Sequence, residues 1–376
     1  KPQVNINEVI ENIDIGGPAM LRSAAKNHRS VAVICNPGRY GQVISELRKN
    51  KGSLPQELLY QLGIEVFDHT SKYDAAIYNY LSNKDKQPKV SKNFPSELTL
   101  AFDKIQVLRY GENPHQQAAF YREKNKNTGL ANLKQLQGKE LSFNNILDLN
   151  AALELVKEFS NPAAVIVKHN NPCGVAEDKQ LAKAYLFAWK CDKLSAYGGI
   201  VALNRKMDLK TAKVILKSGF LECIIAPDFV QEALVLFKSK LNLRLIQLSD
   251  FNMVDELEFK QINGGILLQD KDLKTYDLNN LKVVTKAKPS KQDMQSLIFS
   301  WKVAKHVKSN AIVLARGTKS VGIGAGQMSR VDSVMLAKKK AGLLSKNCCL
   351  ASDAFFPKAD AISWAHKAGV RAIIQP

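Results

Sequence analysis

Lys168 and His169 stand side by side in the stretch VIVKHNNPCGVA, residues 165–176, where a β-branched run opens into turn-forming residues. These two types can share one reaction: an imidazole, whose ordinary pKa is ~6.5, accepts a proton, and a neighbouring ammonium stabilises developing negative charge. Asn170, Asn171, Pro172 and Gly174 are expected to force the turn, because proline lacks an N–H donor and glycine permits positive φ. The pair would then sit at the C-terminal edge of a strand, beyond which parallel α/β sheets bind ligands. The alternative at this position is a histidine that caps the turn beside a surface lysine.

Other stretches carry further candidates. RYGENPHQ (109–116) gathers Arg109, Tyr110, Glu112, Asn113 and His115 in a Gly/Pro-interrupted turn. A guanidinium and a phenol suit a phosphate and an aromatic base, and a plain polar loop explains the stretch equally. VGIGAGQMSR (321–330) is not a dinucleotide fingerprint, since its third glycine, Gly326, comes too early. Its glycines are expected to let backbone approach a flat ligand, with Arg330 opening the next helix, or to form a tight turn with no ligand. SDAFFPKAD (352–360) sets Phe355 and Phe356 between Asp353 and Asp360, a pair that core packing ordinarily explains. Glu222 opens the apolar run ECIIA as either a functional or a solvated acid. Nearer the start, Gly-Gly-Pro before AMLRSAAKNH offers free backbone N–H groups for a phosphate, or an ordinary proline-led helix start.

The elements that would position these groups read as α/β. Helices such as ILDLNAALELVKEF alternate with strands such as AAVIVK, GGIVALN, ECIIA and NAIVLA, the pattern of a layered sheet. LDLNAALELVKEFSNPAAVIVKHNNPCG and QSLIFSWKVAKHVKSNAIVLARGTKSVG share a layout of helix, Ser-Asn, strand and basic residues, so an internal duplication is expected. Residues 1–82 read as helix, turn, helix, strand (VAVIC) and helix, a βα pattern with parallel-sheet character. The Lys-, Ser- and Pro-containing residues 83–100 are expected to link them to a larger domain at 101–376.

With 376 residues and 45% hydrophobic content the chain can build two or three domains, and no apolar run approaches the ~20 residues of a membrane span. Six scattered cysteines without C-x-x-C pairing fit a reducing cytoplasm, and no export leader is read at the first residues. The net charge of +19 could serve a nucleic-acid surface or phosphorylated and carboxylated small substrates, or reflect only a lysine-rich proteome. The basic residues are dispersed, and the clustered Lys/Arg interleaved with aromatics that an RNA-binding module would carry are not found. AKKKAG (337–342) is expected to be a solvated helix face.

Taken together and in this order, DIGGPAMLRSAAKNH, RYGENPHQ, VKHNNPCGVA, AYGGIVALN, GIGAGQMSR and SDAFFP resemble a bifunctional purine-biosynthesis family. Its members join an aminoimidazole carboxamide ribonucleotide (AICAR) transformylase to an IMP cyclohydrolase. The resemblance covers essentially the whole chain. It implies a partial Rossmann-like, methylglyoxal synthase-like cyclohydrolase piece, followed by a duplicated cytidine deaminase-like α/β transformylase domain. By the same match, His169 accepts the proton of the substrate amine and Lys168 stabilises the transition state. Arg109, Tyr110, Asn145, Gly198, Glu222, Asn310, Arg330 and Phe355 would line the AICAR site, with Val331 and Asp360 near the co-substrate 10-formyltetrahydrofolate. In the first piece, Asp14, Ile15, Gly16 and Gly17 match a nucleotide-binding turn and Lys26 matches the catalytic lysine.

A cytoplasmic homodimer without nucleic-acid or membrane partners is implied, and no metal is expected in the chemistry. Against the family pattern, the first part of the cyclohydrolase domain and a final segment with a further arginine are expected to be missing, so ring closure to IMP is not expected of this chain. A zinc deaminase is the competing enzyme reading, but NPCGVA has no second cysteine two residues on and no H-x-E occurs.

Overall fold

In the computed structural model the described residues are 5–84, 94, 98–124, 126, 128–251, 257–273 and 280–376. The chain divides into two units, Lys1–Thr99 and Leu100–Pro376. Of the linker expected at 83–100, residues 85–93 and 95–97 lie outside the described ones.

The first unit is built from helices α1 (Ile6–Glu11), α2 (Gly16–Lys26), α3 (Tyr40–Lys49) and α4 (Gln56–Lys84). Ala25 of α2 and Val66 of α4 bury Val33 from the connecting segment, and Val43 of α3 packs with Leu58 and Leu62. The expected strand VAVIC does not form. Backbone N–H and C=O groups make a strand only when a neighbour shares their ladder. Among its described residues this unit holds no strand, so residues 31–35 run as an irregular segment between helices. The βα reading of residues 1–82 is corrected on this point.

The second unit carries two separate hairpins, β1 (Phe102–Leu108) with β2 (Ala118–Glu123) and β9 (Leu257–Ile262) with β10 (Gly265–Asp270). Its main sheet contains β3 (Lys134–Gln137), β4 (Ala163–Lys168), β5 (Asn171–Glu177), β6 (Ile200–Leu203), β7 (Cys223–Ala226), β8 (Arg244–Gln247), β11 (Ile312–Arg316), β12 (Lys319–Gly324), β13 (Cys349–Ser352) and β14 (Ala372–Ile374). Across this ten-stranded sheet the order is β14-β13-β11-β12-β5-β4-β6-β7-β8-β3. The sheet is mixed: β4 lies antiparallel to both β5 and β6, while β6, β7 and β8 run parallel.

Outward from the β12–β5 seam the two halves read alike. A hairpin strand is followed by its antiparallel partner, a further antiparallel strand and a parallel one: β5, β4, β6, β7 on one side and β12, β11, β13, β14 on the other. Each half opens with a 14-residue helix, α5 (Phe143–Val156) or α10 (Lys291–Ala304). Each helix starts in a serine capping box, Ser142 with Asn145 and Ser290 with Asp293, which satisfies the first free N–H groups. These are the two stretches whose likeness the sequence displays.

The strands are apolar without alternation because both faces are covered. Val165 and Val167 join Leu149 and Leu153 of α5 and Phe299 and Val303 of α10. Ala164 and Ile166 point the other way, into a cluster with Tyr185, Ile215 and Phe237. Those three belong to α6 (Leu181–Cys191), α8 (Leu209–Leu216) and α9 (Gln231–Phe237), and the short α7 (Lys193–Ala196) follows α6. In the second half, α11 (Arg330–Ala341) and α12 (Ala359–Lys367) cover Ile312, Leu314 and Leu350.

The glycines of VGIGAGQMSR find a different use from the one expected. A Cβ on Gly322 would lie 2.2 Å from the Ala337 carbonyl oxygen, and one on Gly324 2.0 Å from that of Ser333, so both let α11 lie directly on β12. Gly174 does the same in the first half, 1.9 Å from the Ala188 carbonyl oxygen of α6. Only Gly326, at φ 66, serves a turn. Because the obstacle is helix backbone, Gly174→Ala is expected to cost at least ~2 kcal/mol by overpacking. The measurement is the midpoint of denaturant unfolding followed by circular dichroism; an unchanged midpoint would show that α6 does not rest on Gly174. Among the described residues, no helix is long and apolar enough to cross a membrane.

Candidate active site

β4 and β5 pair with Lys168 opposite Asn171, which leaves His169 and Asn170 as the entire turn. Both residues are left-handed, at φ 53 and φ 60, the conformation a two-residue type I′ hairpin requires at each position. Holding a non-glycine residue there costs on the order of 1–3 kcal/mol. Pro172 and Gly174, expected in the turn, are strand residues opposite Val167 and Ile166. The pair therefore sits at the tip of an antiparallel hairpin and not at the end of a parallel strand.

The turn is held by Asp148, a half-buried residue of α5 that sequence reasoning passed over. Its Oδ2 accepts the His169 N–H at 3.1 Å and its Oδ1 accepts the Asn170 N–H at 2.6 Å. The available signal was an acid on the sheet-facing stripe of an apolar helix, between the buried Asn145 and Ala152. Lys168 Nζ donates to the Tyr197 carbonyl at 2.7 Å, and the His169 ring is exposed. Gly198, at φ 74, lies beside this ammonium: a Cβ there would stand 4.0 Å from Nζ.

Strand register gathers the other candidates along the same sheet edge. Val167 faces Ile200, Ile200 faces Cys223 and Cys223 faces Arg244, so Lys168, Gly198 and Glu222 follow one another across three strands. Glu222 is not a free acid: its Oε2 pairs with Arg244 at 2.5 Å, and Arg244 also donates to the Glu140 carbonyl at 3.0 Å. On the far side of the seam, Lys319 faces Ala176, so β12 ends near the start of β5. There Arg330, the first residue of α11, donates to Asn310 Oδ1 and to Ser352 Oγ, each at 2.7 Å, and pairs with Asp353. Asn171 joins the two groups, donating to the His169 carbonyl at 3.2 Å and accepting the Lys308 N–H at 3.0 Å. A cavity of ≈ 320 Å³ opens here, lined among others by Lys168, His169, Asn171, Cys173, Ser195 and Lys340.

Burial alone would raise the Asp353 carboxyl, but hydrogen bonds from Ser309, Arg330 and the Ala311 N–H outweigh it and hold the group below its ordinary value. A depressed folded value means stability that is present above the unfolded pKa of ~3.9 and lost as pH falls through the folded one. Between about pH 5 and pH 3, wild-type stability to urea is therefore expected to fall more steeply than that of Asp353→Asn. Parallel profiles would show that Asp353 contributes nothing to acid sensitivity.

The remaining candidates are placed unevenly. Arg109 and Tyr110 lie beyond β1 with the guanidinium 5.7 Å from the phenol ring centre, and Asn144 Nδ2, on the first turn of α5, holds their loop through the Glu112 carbonyl at 3.2 Å. Asn145 is buried as a partner of Ser142 in the helix cap, its Oδ1 accepting the Ser142 N–H at 3.1 Å. Of the aromatic pair, Phe356 packs on the α11–α12 core, whereas Phe355 is 64% exposed beyond β13. Val331 is half-buried on the first turn of α11 and Asp360 is exposed on the first turn of α12. Of all the candidates, Lys168 and His169 alone are among the residues lining the 320 Å³ cavity.

In the first unit, Asp14 Oδ1 accepts the Gly17 N–H at 2.9 Å, so the start of α2, with Ile15 and Gly16, already carries the chain's own anion. Lys26 stands exposed at the other end of α2, ~14 Å away at 1.5 Å per residue; the structure does not bring it to the Asp14–Gly17 turn. On the face expected to be solvated at 337–342, Lys339 and Lys340 are exposed, while Lys338 is half-buried 5.5 Å from the Trp364 ring centre and Lys340 pairs with Asp192 at 3.1 Å.

A family model described as AICARFT/IMPCHase bienzyme matches residues 24–340. The chain belongs to this family. A bifunctional purine biosynthesis protein PurH from Thermoanaerobacter is 50% identical over 376 residues, which is 100% of this chain and 72% of that protein. One from Magnetococcus marinus is 51% identical over 392 aligned residues, 100% of this chain and 73% of that protein. The match to the AICARFT/IMPCHase bienzyme family spans both units. Burial pushes the Cys173 thiol up to about 12, and among the described residues no group of three or more His, Cys, Asp or Glu side chains is placed to hold a metal.

Proposed function

We propose that the Lys168–His169 turn catalyses formyl transfer from 10-formyltetrahydrofolate to the 5-amino group of AICAR. As a member of the AICARFT/IMPCHase bienzyme family, the chain is an enzyme of purine biosynthesis. In this reading residues 101–376 form the transformylase domain, and the two matching halves of its sheet support a duplicated, cytidine deaminase-like unit. Residues 1–82 form the C-terminal part of the cyclohydrolase domain, of methylglyoxal synthase-like kind, with Asp14–Gly17 and Lys26 in their family roles. A cytoplasmic homodimer completes the proposal.

The AICAR amine is conjugated with its ring and is a poor nucleophile, so a base must take its proton as nitrogen attacks the formyl carbon. The exposed His169 imidazole is that base. Attack makes a new C–N bond and a tetrahedral oxyanion, which the Lys168 ammonium stabilises, its position already fixed by the Tyr197 carbonyl. Collapse restores the carbonyl, breaks the bond from the formyl carbon to folate N10 and returns the proton to that nitrogen. Tetrahydrofolate and formyl-AICAR leave. Asn310, Arg330, Arg109, Tyr110, Gly198 and Phe355 would hold AICAR, with Asn145 and the Arg244-paired Glu222 behind them, and Val331 and Asp360 would face the folate. A base and an ammonium complete this cycle without a metal step.

One observation carries the reading: a histidine and its neighbour are held in left-handed backbone next to Lys168, and Asn171 ties that turn to the Lys308 N–H, two residues before Asn310 of the Asn310–Arg330–Asp353 network. The test is ultraviolet-monitored formation of tetrahydrofolate from 10-formyltetrahydrofolate by the purified chain with AICAR. Transfer above the folate-only rate is expected; none at saturating substrates would overturn the proposal.

A further inference from the structure

The two halves of the sheet invite a comparison of their hairpin turns, since each turn is approached by the helix that opens its half. In the first half, two non-glycine residues occupy left-handed positions and a carboxylate supplies one oxygen to each amide, Asp148 to His169 and Asn170. In the second half the turn between β11 and β12 is Gly317–Thr318, where only Gly317 is left-handed, at φ 59. There the matching position on α10 is Ser296, whose single hydroxyl oxygen accepts the Gly317 N–H at 2.8 Å. Glycine adopts this backbone without a steric penalty, so one acceptor is enough. Where chemistry demands a histidine, the helix offers two.

We infer that Asp148 is a positioning residue for the transformylase reaction: its bidentate grip on the His169 and Asn170 amides aims the imidazole into the site. The inference rests on the proposed function. Asp148 is half-buried and makes its recorded hydrogen bonds to backbone N–H groups, so it acts through the turn and not on substrate. The Asn170 amide bond is the shorter, at 2.6 Å, so that residue is the more tightly clamped of the two. Loss of the carboxylate frees the turn to leave the left-handed region, which displaces the ring. Displacement of a catalytic group by ~1 Å can cost about 10²-fold in rate.

The test compares wild type, Asp148→Ala, Asp148→Asn and Asp148→Ala/Asn170→Gly. Asp148→Ala is expected to lower kcat by ~10- to 10²-fold with KM for AICAR changed less than about threefold. Asp148→Asn, which keeps one acceptor oxygen, should fall between. Asn170→Gly places at the second turn position the residue that type I′ turns favour, so in the Asp148→Ala background it should recover a clear part of kcat. A residue that merely supported the fold would not be rescued from the turn.

Amide hydrogen exchange of residues 169 and 170 provides a second arm independent of activity, with faster exchange expected in Asp148→Ala and the rest of β4 and β5 unchanged. An unchanged kcat, or faster exchange with undiminished kcat, would overturn the inference. So would a loss accompanied by global unfolding that Asn170→Gly does not relieve. If wild type transfers no formyl group, the proposed function fails, and with it the catalytic meaning of Asp148, while the exchange arm still decides whether Asp148 holds the turn.

Discussion

His169→Ala is expected to reduce single-turnover formyl transfer by ~10² or more, the ordinary scale for loss of a positioned general base. AICAR binding should change far less, because the imidazole is exposed at the hairpin tip and the groups proposed to hold the nucleotide lie on other elements. The loss then belongs to the chemical step. Folding should survive, since the His169 backbone, and not its ring, makes the turn's recorded hydrogen bonds to Asp148 and Asn171. Circular dichroism of the variant checks this directly. His169→Gly is the informative companion: glycine relieves the left-handed strain and keeps the turn, so its rate should be as low as that of the alanine variant. A near-normal rate in either would reduce the histidine to a turn residue beside a surface lysine.

That the hairpin tip was legible at all comes from local composition. A β-branched run meeting Asn-Asn-Pro can only end or reverse, and the ionisable pair falls at that point. What the residues could not disclose was which two of them make the reversal. His169 and Asn170 take left-handed backbone because Asp148, on a preceding helix, accepts both amides, and that contact is visible only in three dimensions.

Gly322 and Gly324 illustrate the same limit from another direction. A bare backbone admits a ligand or a helix equally well, and the nearness of the Ala337 and Ser333 carbonyls decides for the helix. The duplicated architecture was readable because its two halves keep the same order of cap, helix, strand and turn. Strand direction was not, since a run buried on both faces looks the same in parallel and antiparallel neighbours. Residues 31–35 failed for a related reason: strand propensity is local, while a ladder needs a partner. Glu222, read as either a functional or a solvated acid, pairs with Arg244, and Lys340, exposed on its expected solvated face, also pairs with Asp192.

Replacing Lys168 should have an effect as large as replacing His169, for a different reason. The oxyanion of the tetrahedral intermediate needs a compact positive charge already in place, and removal of one such stabilising group typically costs 10²- to 10³-fold, or about 3–4 kcal/mol. Lys168→Ala is expected to lower kcat by ~10² or more on that basis. Its ammonium is fixed by the Tyr197 carbonyl at 2.7 Å, with Gly198 leaving room beside it. A planar guanidinium is broader and presents its donors in a fixed fork, so Lys168→Arg should restore less than about a tenth of the lost rate although the charge is kept. Recovery to near wild type would show that charge alone matters at this position. The double variant Lys168→Ala/His169→Ala should lose less than the product of the two single losses, because proton removal and oxyanion stabilisation serve one transition state. Strict multiplicativity in single-turnover measurements would mean that the two residues act on separate steps, and the shared role drawn from their adjacency at the hairpin tip would be wrong.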